Sequence, residues 1–118
     1  MSNLDRIPPQ NLEAEQAVIG SMLMDRNAFV RAIEILHPES FYRDAHRFIF
    51  EAMLELFDKS EPIDLVTVTE NLRNSGKLDA VGGSAYVADL LNAVPTAAHV
   101  EHHAKIVEEK FILRICLQ

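Results

Sequence analysis

Phe48, Ile49, Ala52, Met53, Leu56 and Phe57 fall at i, i+1, i+4, i+5, i+8 and i+9. This spacing sets six apolar side chains on one wide stripe of a helix near 44–58, a face that needs other elements to cover it. Asp44 stands where a cap is expected, and Ser60-Glu61-Pro62 ends the run. The stripe's Phe48, Met53, Leu56 and Phe57 are expected inside, with Phe29 and Ile33.

The same period recurs along the chain. Pro8-Pro9 reads as part of an extended arm, residues 1–10. Asn11 is a good N-cap, and Glu13 and Glu15 sit where carboxylates complement a helix dipole, so residues 11–24 read as a helix with Leu12, Val18, Ile19, Met22 and Leu23 inward. Asp25-Arg26-Asn27 breaks it. Phe29, Val30, Ile33 and Leu36 predict a helix over 27–36, stopped by Pro38, and His37-Pro38-Glu39-Ser40 is a connector with room for one helical turn. Asp64 can cap a helix over 65–75. The run Val66-Thr67-Val68-Thr69 favours a strand, but Leu65, Val68 and Leu72 at helical spacing and Gly76 as the residue beyond the end decide for helix. Gly82-Gly83 is a turn, Ser84 a cap for 84–93, and Thr96 a cap for a last helix running from 97 to the end. No strand pair with turn chemistry is present, so the fold class is all-α, about six helices.

The last helix is the most informative. Val100, Ala104, Val107 and Phe111 step by four, three and four, a seam for another helix. Beyond Lys110, the residues Phe111, Ile112, Ile115, Cys116 and Leu117 cover most of the circumference, and a helix apolar on most sides needs burial on most sides. The chain reaches Gln118 with no Gly, Pro or cap. The expectation is that the natural protein continues and that the continuation covers this helix.

Charge limits the partners. Lys+Arg 11 against Asp+Glu 18 gives −7, with no basic run to neutralise phosphates or anionic lipid. Neither nucleic acid nor a membrane surface is an expected partner. One cysteine excludes an internal disulfide and fits a reducing cytosol, and the opening Met-Ser-Asn-Leu-Asp-Arg is no signal peptide, so a cytoplasmic location is expected.

Three constellations could carry chemistry. His99, His102 and His103 lie at i, i+3 and i+4, a spacing that can chelate zinc, but no Glu completes H-E-x-x-H, which favours solvated histidines over a metal-dependent enzyme. Val81-Gly82-Gly83-Ser84 precedes a helix but lacks the G-x-x-x-x-G-K-[ST] pattern, so its glycines fit a positive-φ turn rather than a phosphate site. Cys116, in an apolar stretch, reads as inert packing. Glu13, Glu15, Glu101, Glu108 and Glu109 fit solvated helix faces, Arg43 and Arg47 an exposed side, and His37 and His46 carry no signal. The residues point to an interaction domain without a catalytic, cofactor or metal site, with an independent acidic adaptor protein as the alternative.

The order of pieces is then specific. Ile7-Pro8-Pro9-Gln10-Asn11-Leu12-Glu13-Ala14-Glu15-Gln16-Ala17-Val18-Ile19-Gly20 resembles the opening of DnaB-family replicative DNA helicases. Phe41-Tyr42, His46-Arg47-Phe48-Ile49-Phe50, Pro62-Ile63-Asp64-Leu65-Val66-Thr67-Val68, Gly82-Gly83, Asn92-Ala93-Val94-Pro95-Thr96-Ala97-Ala98, Glu101-His102-His103-Ala104-Lys105-Ile106-Val107 and Glu109-Lys110 follow in family order. The family often has an aromatic residue where this chain has His102-His103. The resemblance implies the amino-terminal domain: an extended arm (1–10), a small orthogonal helical head (11–95) and the first helix of a helical hairpin (96–118), truncated at its C-terminal end. It implies a non-catalytic collar of a hexameric, ATP-dependent 5′–3′ DNA helicase, with ATP and magnesium confined to a separate RecA-like motor. The implied partners are further copies, as a dimer or a trimer of dimers, the C-terminal domain of a DnaG-type primase and, as a further candidate, a helicase loader. For the partner surface the sequence nominates an acidic rim, Glu13 and Glu15, on the wet side of the first helix. Beside it would lie an apolar groove from Val107, Phe111, Ile112, Ile115 and Leu117.

Overall fold

A computed structural model describes residues 7–117, so the outer part of the expected arm, residues 1–6, and Gln118 lie outside the described residues. The described residues form seven α-helices and one 3-10 turn and contain no strand: α1 (Leu12–Met24), α2 (Arg26–Ile33), the 3-10 turn (Pro38–Ser40), α3 (Asp44–Asp58), α4 (Leu65–Asn74), α5 (Leu78–Val81), α6 (Gly83–Asn92) and α7 (Val100–Cys116). The all-α expectation holds.

The caps explain most boundaries. Asn11 Oδ1 accepts the Ala14 N–H at 2.9 Å and starts α1. Asp25 both ends α1, through its N–H to Ser21 O, and starts α2, where its carboxylate accepts from Asn27 N. Asp64 and Thr67 form a reciprocal box, each side chain bonded to the other's backbone N–H at 2.9 Å. That box holds the β-branched run helical, while the Thr69 hydroxyl donates to Leu65 O at 2.8 Å and Val66 faces solvent. Gly76 follows α4 at φ +75°, as a helix terminator does.

Other boundaries differ from expectation. α2 stops at Ile33, three residues short of Leu36. Asp44 is the first helical residue of α3 rather than its cap. Four residues, Leu78–Val81, form a short helix that periodicity cannot register. α6 starts one residue early, and its N-cap is Gly82 at φ +106° rather than Ser84. The Thr96 hydroxyl accepts from Ala98 N at 3.1 Å and caps only a turn, so α7 begins at Val100.

Helix α1 runs through the centre and packs on α2, α3, α6 and α7. Val18, Ile19, Phe29, Phe41, Ile49, Phe50 and Met53 are fully buried. The expected interior needs a register correction. Phe48, Phe57 and Ile33 are only half-buried, whereas Phe50 and Phe41 fill the core with ring centroids 5.1 Å apart. Helix α3 is covered on more than one side, by α4 and α5 as well as by α1 and the 3-10 turn, so its buried positions exceed a single stripe. The rings at the margin meet cations: Lys77 Nζ lies 4.4 Å from the Phe48 centroid and Arg26 Cζ 5.3 Å from that of Phe57.

Gly20 sets the approach of α1 to α6. A Cβ there would lie 2.3 Å from Leu90 O and 2.5 Å from Val94 Cγ2. Alanine is the better helix former by about 1 kcal/mol, but the overlap with a backbone oxygen forces the helices apart. Gly20→Ala is therefore expected to lower stability by about 2 kcal/mol, read as a lower urea midpoint. An unchanged or raised midpoint contradicts the close approach.

Candidate interaction surface and its buried support

Glu15 is not on the wet side of α1. Its side chain is 1% exposed, against the expectation of a solvated rim. The helix turns it inward beside Ala14, Val18 and Ile19, where the start of α3 supplies donors. Its carboxylate accepts the Tyr42 N–H at 2.6 Å, the Arg43 N–H at 3.4 Å and His46 Nδ1 at 2.7 Å. Because the carboxylate already accepts backbone N–H groups, the histidine proton is assigned to Nδ1. Nε2 then meets Tyr86 Oη at 2.7 Å, and that oxygen accepts from Gln16 Nε2 at 3.3 Å. The chain α1–α3–α6 is thus closed with each polar atom partnered, the condition for burying such groups. His46, silent in the sequence, is fully buried.

The C-terminal half of α7 is the open surface. Val100, Ala104 and Val107 are buried, so Val107 belongs to the core and not to an outer groove. Phe111 is half-buried, with Arg114 Cζ 5.8 Å from its centroid. Ile112, Ile115 and Leu117 are exposed, at 49%, 51% and 73%, as is Leu113. Cys116 is exposed too, contrary to its reading as packing. Ile112 and Leu113 join Ile35, Lys105, Glu108 and Glu109 in an apolar-floored groove. Leu113 and Ile35 were not among the nominated residues. Leu113 lies within the apolar run, but nothing local links Ile35 to α7.

Glu13 is exposed and parted from this groove's lining. It lines a second groove with Asn11, Ala14, Ala17, His102, His103 and Ile106, between α1 and the first half of α7. His99 and His103 ring centroids are 6.5 Å apart and those of His102 and His103 5.7 Å. Among the described residues no group of three or more His, Cys, Asp or Glu side chains gathers as a metal set. His103 Nδ1 is buried without a partner among the described residues. Burial holds the His103 pKa below its ordinary 6.5, reinforced by His102 and then His99. The unfolded chain therefore takes up this proton more readily, so stability should fall as pH drops through 6.5 and below. In chemical denaturation across that range, His103→Gln should flatten the decline; an unaltered pH profile would contradict this.

The geometry defines an all-helical domain with grooves on both flanks of α7 and a closed network of buried polar side chains. Residues 7–109 match the family described as "DnaB-like helicase N terminal domain", and the chain belongs to that family. It is 56% identical over 110 residues to the replicative DNA helicase DnaC of Bacillus subtilis (strain 168), covering 93% of this chain and 24% of that protein. It is 57% identical over 110 residues to the replicative DNA helicase DnaB of Geobacillus stearothermophilus, with the same coverage, 93% and 24%. The chain thus spans about a quarter of the length of these relatives. The crystal structure of the N-terminal domain of DnaB helicase from Mycobacterium tuberculosis superposes with a TM-score of 0.90 at 44% identity, covering 92% of this chain and 75% of that one.

Proposed function

We propose that this domain is the non-catalytic collar element of a hexameric replicative helicase, pairing with further copies of itself and presenting a docking surface to the C-terminal domain of primase. Residues 11–95 act as a head and residues 96–118 as the first helix of a hairpin. ATP and magnesium belong to the motor of the whole helicase, a helicase loader is a further partner, and the setting is the cytoplasm. No described helix is long and apolar enough to cross a membrane. One observation carries the reading: Ile112, Leu113, Ile115 and Leu117 stand exposed on a single helix end. Such a concentration of large apolar side chains is characteristic of a surface that is covered in an assembly. Lys105, Glu108 and Glu109 border it, a charged rim suited to steering and register.

Titration calorimetry of a whole helicase bearing this domain against the primase C-terminal domain tests the docking half. Ile112→Asp should weaken binding about tenfold or more, the scale of one buried apolar anchor. Because Ile112 is 49% exposed in the 118-residue chain, that chain's head should melt unchanged. Undiminished affinity would place primase elsewhere.

A further inference from the structure

Arg114 is the one cation within the apolar end of α7, between Leu113 and Ile115. It is half-buried. Its Nη1 donates to Pro9 O at 2.8 Å and its Nη2 to Ser40 O at 2.9 Å. The guanidinium lies 5.4 Å from the Tyr42 centroid and 5.8 Å from that of Phe111. Apart from Phe111, on α7 itself, these partners come from distant parts of the chain: Pro9, the 3-10 turn and the approach to α3. No other hydrogen bond among the described residues involves residues 7–10. Apolar burial holds only part of the segment: Ile7 is 60% exposed and Pro8 is exposed, while Pro9 and Gln10 are half-buried. Pro8-Pro9 is stiff and extended, so whatever holds Pro9 sets the path of its neighbours. The turn at the other prong is firmly placed: Ser40 is buried, its hydroxyl accepts the His37 N–H at 3.0 Å, and nearby Tyr42 N is held by Glu15.

We propose that Arg114 is a clasp that docks the N-terminal arm only while the last turns of α7 stay seated on the 3-10 turn. One prong grips the fixed head and the other Pro9, in a segment (7–10) that no other hydrogen bond among the described residues holds. A tilt of α7 away from the head withdraws both prongs together and frees the arm. The fork geometry is essential, because two carbonyl oxygens from different segments must be reached by one planar group, which a lysine ammonium cannot match. Coupling of this kind is reciprocal: if α7 holds the arm, the arm also holds α7.

The test reads both directions in the 118-residue chain. The sequence has no tryptophan, so Ile7→Trp supplies a single tryptophan, excited selectively over the two tyrosines, at an exposed position. Adding Arg114→Gln, and separately Arg114→Lys, should lower its anisotropy, with the α-helical circular dichroism retained. In the reverse direction, deleting residues 1–10 leaves Arg114 intact. It should speed amide exchange over residues 111–117 by about tenfold, the scale of one charge-assisted hydrogen bond. Unchanged anisotropy in both variants overturns the clasp, and so does unchanged exchange over 111–117 in the truncated chain. If Arg114→Gln fails to fold, Arg114→Lys and the truncation still decide.

Discussion

Glu15→Leu is expected to cost about 3–5 kcal/mol, enough to leave the head partly unfolded at ambient temperature if its total stability is near the low end of the usual 5–15 kcal/mol. The carboxylate is the acceptor for Tyr42 N at 2.6 Å and His46 Nδ1 at 2.7 Å, in a site where Glu15 is 1% and His46 0% exposed. Truncating it strands those donors away from water, a penalty larger than the net worth of the bonds themselves. Glu15→Lys should be worse, since it places an ammonium against the same donors. A paired replacement, Glu15→Leu with His46→Leu, should recover part of the loss, because one stranded donor is removed with its acceptor. Urea unfolding of the two single variants and the pair gives the coupling directly. A Glu15→Leu chain within about 1 kcal/mol of the parent would contradict the buried network. It follows that any partner-binding defect in a Glu15 variant has to be read beside its melting curve.

The second large effect separates neighbouring phenylalanines. Phe50→Ala should cost about 3–5 kcal/mol, because its ring is fully buried against Phe41 at 5.1 Å and the core cannot close the space. Phe48→Ala should cost about 1–2 kcal/mol, since a half-buried ring loses less transfer free energy and leaves no sealed cavity. The order of urea midpoints is the readout. Equal losses, or a larger loss at Phe48, would mean that the register of α3 is wrong.

These two cases mark how far the sequence could be read. Helix existence was legible wherever a cap preceded a periodic run, as at Asn11 and Asp64, because both signals are local. The face of α3 was legible only in part. Its stripe is the seam that periodicity can see, but His46 is held by Glu15 of α1 and Tyr86 of α6, which arrive from far along the chain, and Phe50 packs on Phe41, outside any helix. Glu15 misled for the same reason. A carboxylate in a helix's first turns ordinarily favours the dipole from solvent, and nothing within four residues announces the backbone donors at Tyr42 and Arg43. At α7 the apolar character of Phe111 to Leu117 is legible in the sequence itself. The role of Arg114 within it depends on Pro9 and Ser40, which are 105 and 74 residues away. The family was legible because its pieces are spread along the chain in fixed order, a signal that one substituted residue does not erase.

The exposed end of α7, with Ile112, Leu113, Ile115 and Leu117, is the surface proposed for association. Sedimentation velocity of the 118-residue chain at about 100 µM, beside Ile112→Asp/Ile115→Asp, tests it most directly, since even a modest apolar contact populates dimer in that range. The expected result is a concentration-dependent dimer for the parent and a monomer for the variant, with the same helical circular dichroism, because both side chains are about half exposed, and with a parent melting temperature that rises with concentration. A parent chain that remains monomeric, or a variant that still dimerises as tightly, would contradict it.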